Sequence, residues 1–309
     1  MKVLSSLSAL PVLRNPCVTL GTYDGVHVGH HMILKQLIHR AAETSKDSML
    51  ITFDPHPRQA LGLGNVSLLT PLDEKIELLA KTGLDYLLVL PFTKEFSNQN
   101  ATDFINRVLI QELNISEIIL GYDHKFGHNR EGDVHLLGNV LGKSGRLVTE
   151  IPAQDVDEII VSSTRIRSAL IQGDIETANR LLGYPYQING KVVMGNQLGK
   201  TVGFPTANIE LTNHSKLVPG NGVYAVKLRL KNRTHLGMMN IGVRPTVSNS
   251  RHRVIEVHLF DFNEDFYGES VSITIYNHIR MEQAFSGLEA LTEQLKKDEI
   301  NSRSFFSSN

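Results

Sequence analysis

The sequence lacks several features that mark common classes of protein. Of its 309 residues only Cys17 is a cysteine, which excludes an internal disulfide and every zinc or redox motif that needs two cysteines. Basic and acidic side chains number 31 and 32, so net charge gives no reason to expect nucleic acid or an anionic membrane as a partner. No apolar run approaches the roughly 18 residues of a membrane span, and residues 1–16 lack the cleavage pattern of a signal peptide. These absences favour a cytoplasmic enzyme or binding protein.

What is present suggests two domains, because the chain is too long for one ordinary domain. Up to residue 183, strand-like runs alternate with helical patterns, which predicts a parallel α/β sheet covered on both faces. The predicted strands are 17–21, 48–53, 85–91, 117–121 and 146–151. The predicted helices are 30–43, 72–81, 102–113, 133–141, 164–171 and 174–182.

From residue 184 onward, strand-like runs recur without helices between them, as in a small antiparallel barrel. The predicted strands are 187–193, 222–230, 235–241, 254–262 and 270–279, followed by a helix at 286–297. We therefore predict an α/β domain at 1–183 and an all-β domain at 184–309.

The segment GTYDGVHVGHH, residues 21–31, crowds glycines and histidines into the turn between a predicted strand and helix. Ligands of parallel α/β sheets bind at such turns, where glycine admits a close backbone approach and the helix start attracts anions. His27 and His30 would add side-chain donors. We favour a phosphate site, although a zinc site or ordinary solvated and capping histidines remain open.

The segment SSTRIR, residues 162–167, opens another predicted helix with hydroxyl side chains and two arginines. Cations in the first helical turn oppose the helix dipole, and a bound anion would remove that conflict. Hydroxyl capping beside two solvated arginines explains the segment equally well.

Together, the two segments resemble the nucleotidylyltransferase superfamily with its HxGH and SSTxIR signatures. The resemblance implies a Rossmann-like domain that transfers a nucleotidyl group from a nucleoside triphosphate and releases pyrophosphate. His27 and His30 would stabilise the triphosphate in the transition state. The implied nucleotide-binding residues are Gly21, Tyr23, Asp24, Gly29, His30, Ser163, Thr164, Arg165 and Arg167.

A glycine-rich stretch in the second domain is not a P-loop. GNQLGKT, residues 195–201, has three residues between its glycines, where a Walker motif needs four, and Pro205 spoils the helix that should follow. Just beyond it, Thr206 and Asn208 are two residues apart and would share one side of an extended segment. Such oxygens could help to hold Mg²⁺, although turn-forming polar residues are an equal explanation.

The second domain resembles riboflavin kinase along nearly its whole length. The matching pieces are GKTVGFPTANI at 199–209, PGNGVYAV at 219–226, NIGVRPT at 240–246, EVHLFDF at 256–262, DFYGE at 265–269 and RMEQAF at 280–285. The resemblance implies a six-stranded antiparallel barrel with a closing C-terminal helix, Gly199 and Lys200 at the nucleotide, and Thr206 and Asn208 at Mg²⁺. It makes Glu256 the general base, although most such strand glutamates are merely solvated.

The combination of both halves resembles the bacterial bifunctional FAD synthetases. That resemblance implies phosphorylation of riboflavin by ATP to FMN, and then adenylylation of FMN by a second ATP to FAD, with Mg²⁺ for both steps. The stretches FDPHP at 53–57 and GYDHKFG at 121–127 also fit, and Asp54, Asp123 and Arg244 are the implied flavin or substrate contacts. We expect a monomer or transient homo-oligomer that binds neither nucleic acid nor membrane.

The sequence departs from the family pattern at two positions. His124 and Tyr23 stand where the family usually has phenylalanine. The tyrosine is nearly isosteric, but the histidine replaces an apolar ring with a titratable one, which puts a flavin or loop contact near residue 124 in doubt.

Two rival functions remain. A nicotinamide-dependent oxidoreductase would carry GxGxxG after its first strand, and this chain does not. A non-enzymatic flavin- or RNA-binding protein would bind FMN without forming it, and the absence of a basic stripe argues against RNA.

Overall fold

The computed structural model describes residues 1–64, 66–122, 124–153, 155–156, 159–195, 203–245 and 251–308. The chain divides into two compact units, Met1–Ser163 and Thr164–Asn309. The boundary between functional domains at 183/184 stays a prediction.

The first unit contains a six-stranded, all-parallel sheet in the order β1-β4-β3-β2-β5-β6. Its strands are β1 Lys2–Leu4, β2 Cys17–Leu20, β3 Ser48–Asp54, β4 Tyr86–Pro91, β5 Glu117–Gly121 and β6 Leu147–Ile151. The helices of this unit are α1 Val28–Glu43, α2 Pro57–Ala60, α3 Leu72–Leu79, α4 Lys94–Ser97, α5 Ala101–Phe104 and α6 Val134–Leu141. A two-stranded hairpin, β7 Asp155–Val156 and β8 Ile159–Ile160, completes it.

The predicted parallel sheet is confirmed, and its burial follows from strands that are apolar on both faces. Val18 and Leu20 belong to one apolar cluster, while Cys17, from the alternate position, belongs to another. α1 and α3 contribute to the second cluster. The first cluster also includes a π-helix, Ile105–Glu112, which continues α5 where a regular α-helix was predicted.

The order of the strands reverses at β2, which lies between β3 and β5. In open α/β sheets the crevice at such a reversal is the usual ligand site. The loops that leave β2 and β5 contain GTYDGVHVGHH and GYDHKFG. The sheet topology therefore brings the two stretches singled out in the sequence to one crevice.

Two helices follow, α7 Ser163–Gln172 and α8 Ile175–Leu182. The sequence predicted the boundaries of α8 correctly from its capping residues. Asp174 accepts a hydrogen bond from the Thr177 amide at 3.1 Å, and Gly183 ends the helix with φ of 82°.

The second unit contains a closed six-stranded barrel, as the riboflavin kinase resemblance implied. Its strands are β9 Tyr186–Val193, β10 Ala207–Leu211, β11 Gly222–Leu230, β12 Arg233–Pro245, β13 Arg251–Leu259 and β14 Ser270–Arg280, in the order β10-β13-β12-β11-β14-β9. The strand β10 was not predicted from periodicity, because it is short and follows a proline-containing turn.

The C-terminal helix, α9 Leu288–Ser308, runs eleven residues beyond the predicted end at 297. Its added turns are mostly polar in sequence, but Asp298 and Ser302 are fully buried. The Asp298 carboxylate binds the guanidinium of Arg280 with N–O distances of 2.8–3.1 Å. Tertiary contacts, which sequence periodicity does not report, therefore extend this helix.

We predict that the Arg280–Asp298 pair contributes strongly to the stability of the second unit. Arg280→Met should lower its unfolding free energy by about 3 kcal/mol, because the buried carboxylate loses its charged partner. Asp261→Asn, which breaks the ion pair with Arg303 at a carboxylate that is 80% exposed, is the matched control and should cost less than about 1 kcal/mol. Urea denaturation measures both, and equal losses would contradict the prediction.

Candidate active sites

The loop between β2 and α1 has an unusual backbone. Tyr23, Gly25 and Val26 all have positive φ, at 48°, 91° and 35°. Val26 is the most strained of the three, since it is β-branched and fully buried. Strained loops held by a rigid sheet are typical of binding sites, and this loop leads directly into α1.

His27 and His30 cap the start of α1 reciprocally. The Nδ1 atom of His27 accepts a hydrogen bond from the amide of His30, and Nδ1 of His30 accepts from the amide of His27, both at 3.3 Å. The two rings stack with centroids 3.6 Å apart. A side chain at Gly29 would crowd this stack, because its Cβ would lie 3.3 Å from Nδ1 of His27.

This reciprocal cap determines which ring nitrogen carries the proton. Because both Nδ1 atoms accept, a neutral ring must carry its proton on Nε2, where it can be donated to a ligand. The pKa of His30 lies well below 6.5, chiefly because the half-buried ring is desolvated and secondarily because His27, Lys75 and His31 are nearby. His30 is therefore a neutral donor at physiological pH.

Tyr23 supports the second histidine from the side. Its ring stacks on His30 with a centroid distance of 4.4 Å, and its hydroxyl is hydrogen-bonded to the hydroxyl of Thr19 at 2.9 Å. Burial raises the pKa of Tyr23, so the phenol remains protonated. The hydroxyl that distinguishes this residue from the family's phenylalanine is thus satisfied within the fold.

Asp24 connects the loop to two other segments. Its carboxylate accepts hydrogen bonds from the amides of Leu69 and Thr70 at 3.1 and 2.9 Å. Its carbonyl oxygen accepts from the hydroxyl of Ser163 at 2.8 Å. The first residue of α7 is therefore in contact with the glycine- and histidine-rich loop.

For most of the other residues predicted at this site, the structure gives a position but describes few contacts. Thr164, Arg165 and Arg167 follow Ser163 in α7, and their role stays a prediction. Asp54 is exposed at the end of β3, while Asp123 lies outside the described residues. His124 is close to the loop, since a Cβ on Gly21 would lie 3.9 Å from its ring.

Sequence reasoning missed Lys75, which is 6% exposed on α3 and donates a hydrogen bond to the carbonyl oxygen of Thr22 at 2.6 Å. Leu72, Ile76 and Leu79 of the same helix pack into the core. Lys75, three residues after Leu72, therefore occupies the apolar face. A lysine on the apolar face of an amphipathic helix was the available signal.

In the barrel, Glu256 lies level with two asparagines. It pairs with Asn208 of β10 on one side and with Asn240 of β12 on the other. Directly paired residues of antiparallel strands share a face of the sheet, so these three side chains project from the same face. Ile255 and Val257 are buried on the opposite face.

A cavity of about 330 Å³ is lined by residues of the opposite face, among them Val257 and its strand partner Ala207. Thr206 lines it together with Pro205, Ala207, Val257, Leu259 and residues 262–267. His258 fixes the neighbouring segment, because its Nδ1 atom is 2.8 Å from the carbonyl oxygen of Pro205. Gly199 and Lys200 lie outside the described residues, as does the side chain of Arg244.

Among the described residues, no three histidine, cysteine, aspartate or glutamate side chains are grouped to hold a metal ion. In the same residues, no helix is both long and apolar enough to cross a membrane.

The comparisons with known proteins identify a family for each part of the chain. Residues 11–165 match the family model for FAD synthetase, and residues 182–306 match that for riboflavin kinase. The chain belongs to the bifunctional riboflavin kinase/FMN adenylyltransferase family. Curated relatives of that name include one from Listeria monocytogenes, 40% identical over 94% of this chain and 93% of the relative, and one from Haemophilus influenzae, 38% identical over 96% of each.

A solved structure supports the fold of this family member. The crystal structure described as a macrolide-efflux protein from Streptococcus pneumoniae is 29% identical, covers 98% of both chains and has a TM-score of 0.89.

We predict that His30 makes the stability of the first unit depend on pH. A histidine whose folded pKa lies below 6.5 binds fewer protons when folded than when unfolded, so stability is fully present above 6.5 and is lost as pH falls toward the folded pKa. The slope contributed approaches about 1.4 kcal/mol per pH unit. Urea denaturation between about pH 5 and 7 measures how the unfolding free energy changes with pH. That change should be smaller for His30→Gln than for the parent. His39→Gln, which changes an exposed histidine of the same helix, is the control and should behave like the parent. Equal slopes would contradict the prediction.

Proposed function

We infer that the chain phosphorylates riboflavin with ATP to give FMN and ADP, and then transfers AMP from a second ATP to FMN, giving FAD and pyrophosphate. The first reaction is assigned to the barrel and the second to the α/β unit. The assignment follows from membership of the bifunctional family, whose two models match the corresponding parts of the chain. The roles of individual residues in the two reactions are our proposals.

The reciprocal histidine cap is the observation that carries the adenylyl-transfer proposal. In-line attack of the FMN phosphate on the α-phosphate of ATP needs positioning and charge stabilisation, with no covalent intermediate. The Nε2–H groups of His27 and His30 supply two donors that are already oriented. The amides at the start of α1 add further positive potential for the negative charge that develops on the triphosphate.

Ser163 supports placement of the SSTRIR helix start at the same phosphates, because its hydroxyl contacts Asp24 of the loop. Thr164, Arg165 and Arg167 are then proposed to bind the outer phosphates. Gly21, Tyr23 and Gly29 shape the loop. Asp54 and Asp123 are proposed to contact the flavin substrate.

In the kinase unit, Glu256 is proposed as the general base that accepts the proton of the riboflavin hydroxyl. Thr206 and Asn208 offer a hydroxyl and an amide oxygen, and Asn208 lies level with Glu256 on the neighbouring strand. Such uncharged oxygen donors fit Mg²⁺, which takes most of its remaining ligands from phosphates and water. Mg²⁺, when bound, would neutralise charge on the transferring phosphate. Gly199, Lys200 and Arg244 are proposed to contact the substrates of this reaction.

Two substitutions test whether the reactions are divided in this way. Glu256→Gln should lower formation of FMN from riboflavin by about 100-fold or more, because the proton acceptor is lost. It should leave conversion of FMN to FAD unchanged. His30→Ala should lower conversion of FMN to FAD by about 100-fold and leave FMN formation unchanged. Chromatography of the flavins, with ATP and Mg²⁺ present, measures both reactions in the full chain.

Each test variant has a matched control in the same unit of the chain. Glu293→Gln on α9 and His39→Ala on α1 change exposed residues of the same types and should leave both reactions intact. If either test variant silenced both reactions in a folded chain, the division of labour would be wrong.

A further inference from the structure

The buried lysine of α3, Lys75, has no role among the residues proposed for the two reactions. Lys75 is 6% exposed, yet the ammonium is a group that folding rarely buries without a partner. Its one hydrogen bond among the described residues is the 2.6 Å contact to the carbonyl oxygen of Thr22. The acceptor is neutral and forms no ion pair with the ammonium, and burial lowers the pKa of Lys75. Burying such a charge lowers the stability of the fold, so a role in the neighbouring site would account for Lys75.

The position of the hydrogen bond shows what the lysine holds. Thr22 lies between Gly21 and Tyr23 in the loop that leads to the histidine cap. Its carbonyl oxygen also accepts a hydrogen bond from the hydroxyl of Thr52 at 3.2 Å. Two donors, one from α3 and one from β3, therefore converge on one peptide group of the strained loop.

The acidic groups near Lys75 are engaged elsewhere or more distant. The Asp24 carboxylate accepts from the amides of Leu69 and Thr70, and Asp54 is exposed at the end of β3. Both raise the pKa of Lys75 through space, but neither forms an ion pair with it within 4.0 Å among the described residues. Burial is the main cause of the lowered pKa of His30, and the nearby positive charge of Lys75 lowers that pKa further.

We propose that Lys75 is a positioning residue for adenylyl transfer, which pins the loop at Thr22 and gives the phosphate site a fixed positive charge beside its two neutral histidines. The proposal rests on the proposed function of this unit. The fixed charge attracts the triphosphate, and the hydrogen bond keeps Tyr23 and His30 stacked before the nucleotide arrives. Neutral histidines donate hydrogen bonds but add no charge, so the two kinds of group are complementary.

Three variants of the full chain separate the two contributions. Lys75→Gln keeps an amide donor for Thr22 but loses the charge, Lys75→Arg keeps the charge, and Lys75→Met loses both. Lys75→Gln should lower kcat/KM for ATP in FMN adenylylation by about tenfold. Lys75→Met should lower it further, and Lys75→Arg should retain more activity than Lys75→Gln. Lys81→Met, which removes an exposed lysine just beyond the same helix, should stay within about twofold of the parent.

Two further measurements distinguish positioning from a general loss of folding. Riboflavin phosphorylation, assigned to the other unit, should be unchanged in every variant. The pKa of His30, followed by NMR of the imidazole groups, should rise in Lys75→Gln because a nearby positive charge is removed. The remaining groups around His30, namely His27, His31 and Tyr23, are the same in parent and variant.

Three results would overturn the inference. They are full adenylylation by Lys75→Gln, an unchanged pKa of His30 in that variant, and equal losses in Lys75→Gln and Lys75→Arg. Failure of the parent chain to convert FMN to FAD would instead refute the proposed function, so the two failures are distinguishable.

Discussion

The reciprocal cap between His27 and His30 is the interaction on which the first site depends. It ends the strained loop, begins α1 and commits both Nδ1 atoms to backbone amides at 3.3 Å. The same two hydrogen bonds therefore cap the helix and fix the tautomer, because Nδ1 atoms that accept from the backbone leave the ring protons on Nε2. The sequence left open that these histidines only cap a helix. They do cap α1, and this capping is compatible with phosphate binding.

The sequence predicted the architecture well because period and order are local properties. Buried parallel strands such as β3 are continuously apolar, and the cap and end of α8 follow from Asp174 and Gly183. Prediction from the sequence failed for elements whose extent depends on tertiary contacts or that are too short to show a period. β10 is too short to show a period, and the last turns of α9 depend on the burial of Asp298 against Arg280.

The sites were predictable to different degrees. The two motifs, taken together, predicted that the histidine loop and the SSTRIR segment serve one site. In the structure the hydroxyl of Ser163 donates a hydrogen bond to the carbonyl oxygen of Asp24 in that loop. Lys75 was missed because a single lysine carries no motif, and only its place among core residues reveals it. In the barrel, the alignment of Asn208 with Glu256 arises from strand register, which one strand alone does not specify. Both sites thus follow one rule, in which a rigid sheet places a few polar groups on neighbouring strands or loops.

Nitrogen NMR of the histidine rings tests the central claim most directly. With ¹⁵N-labelled histidine in the full chain at neutral pH, His27 and His30 should both appear as neutral rings with the proton on Nε2. Both Nε2 signals should shift when a non-hydrolysable ATP analogue is added, while the exposed His39 should not respond. A proton on Nδ1 of either ring, or a positively charged His30 at neutral pH, would contradict the account.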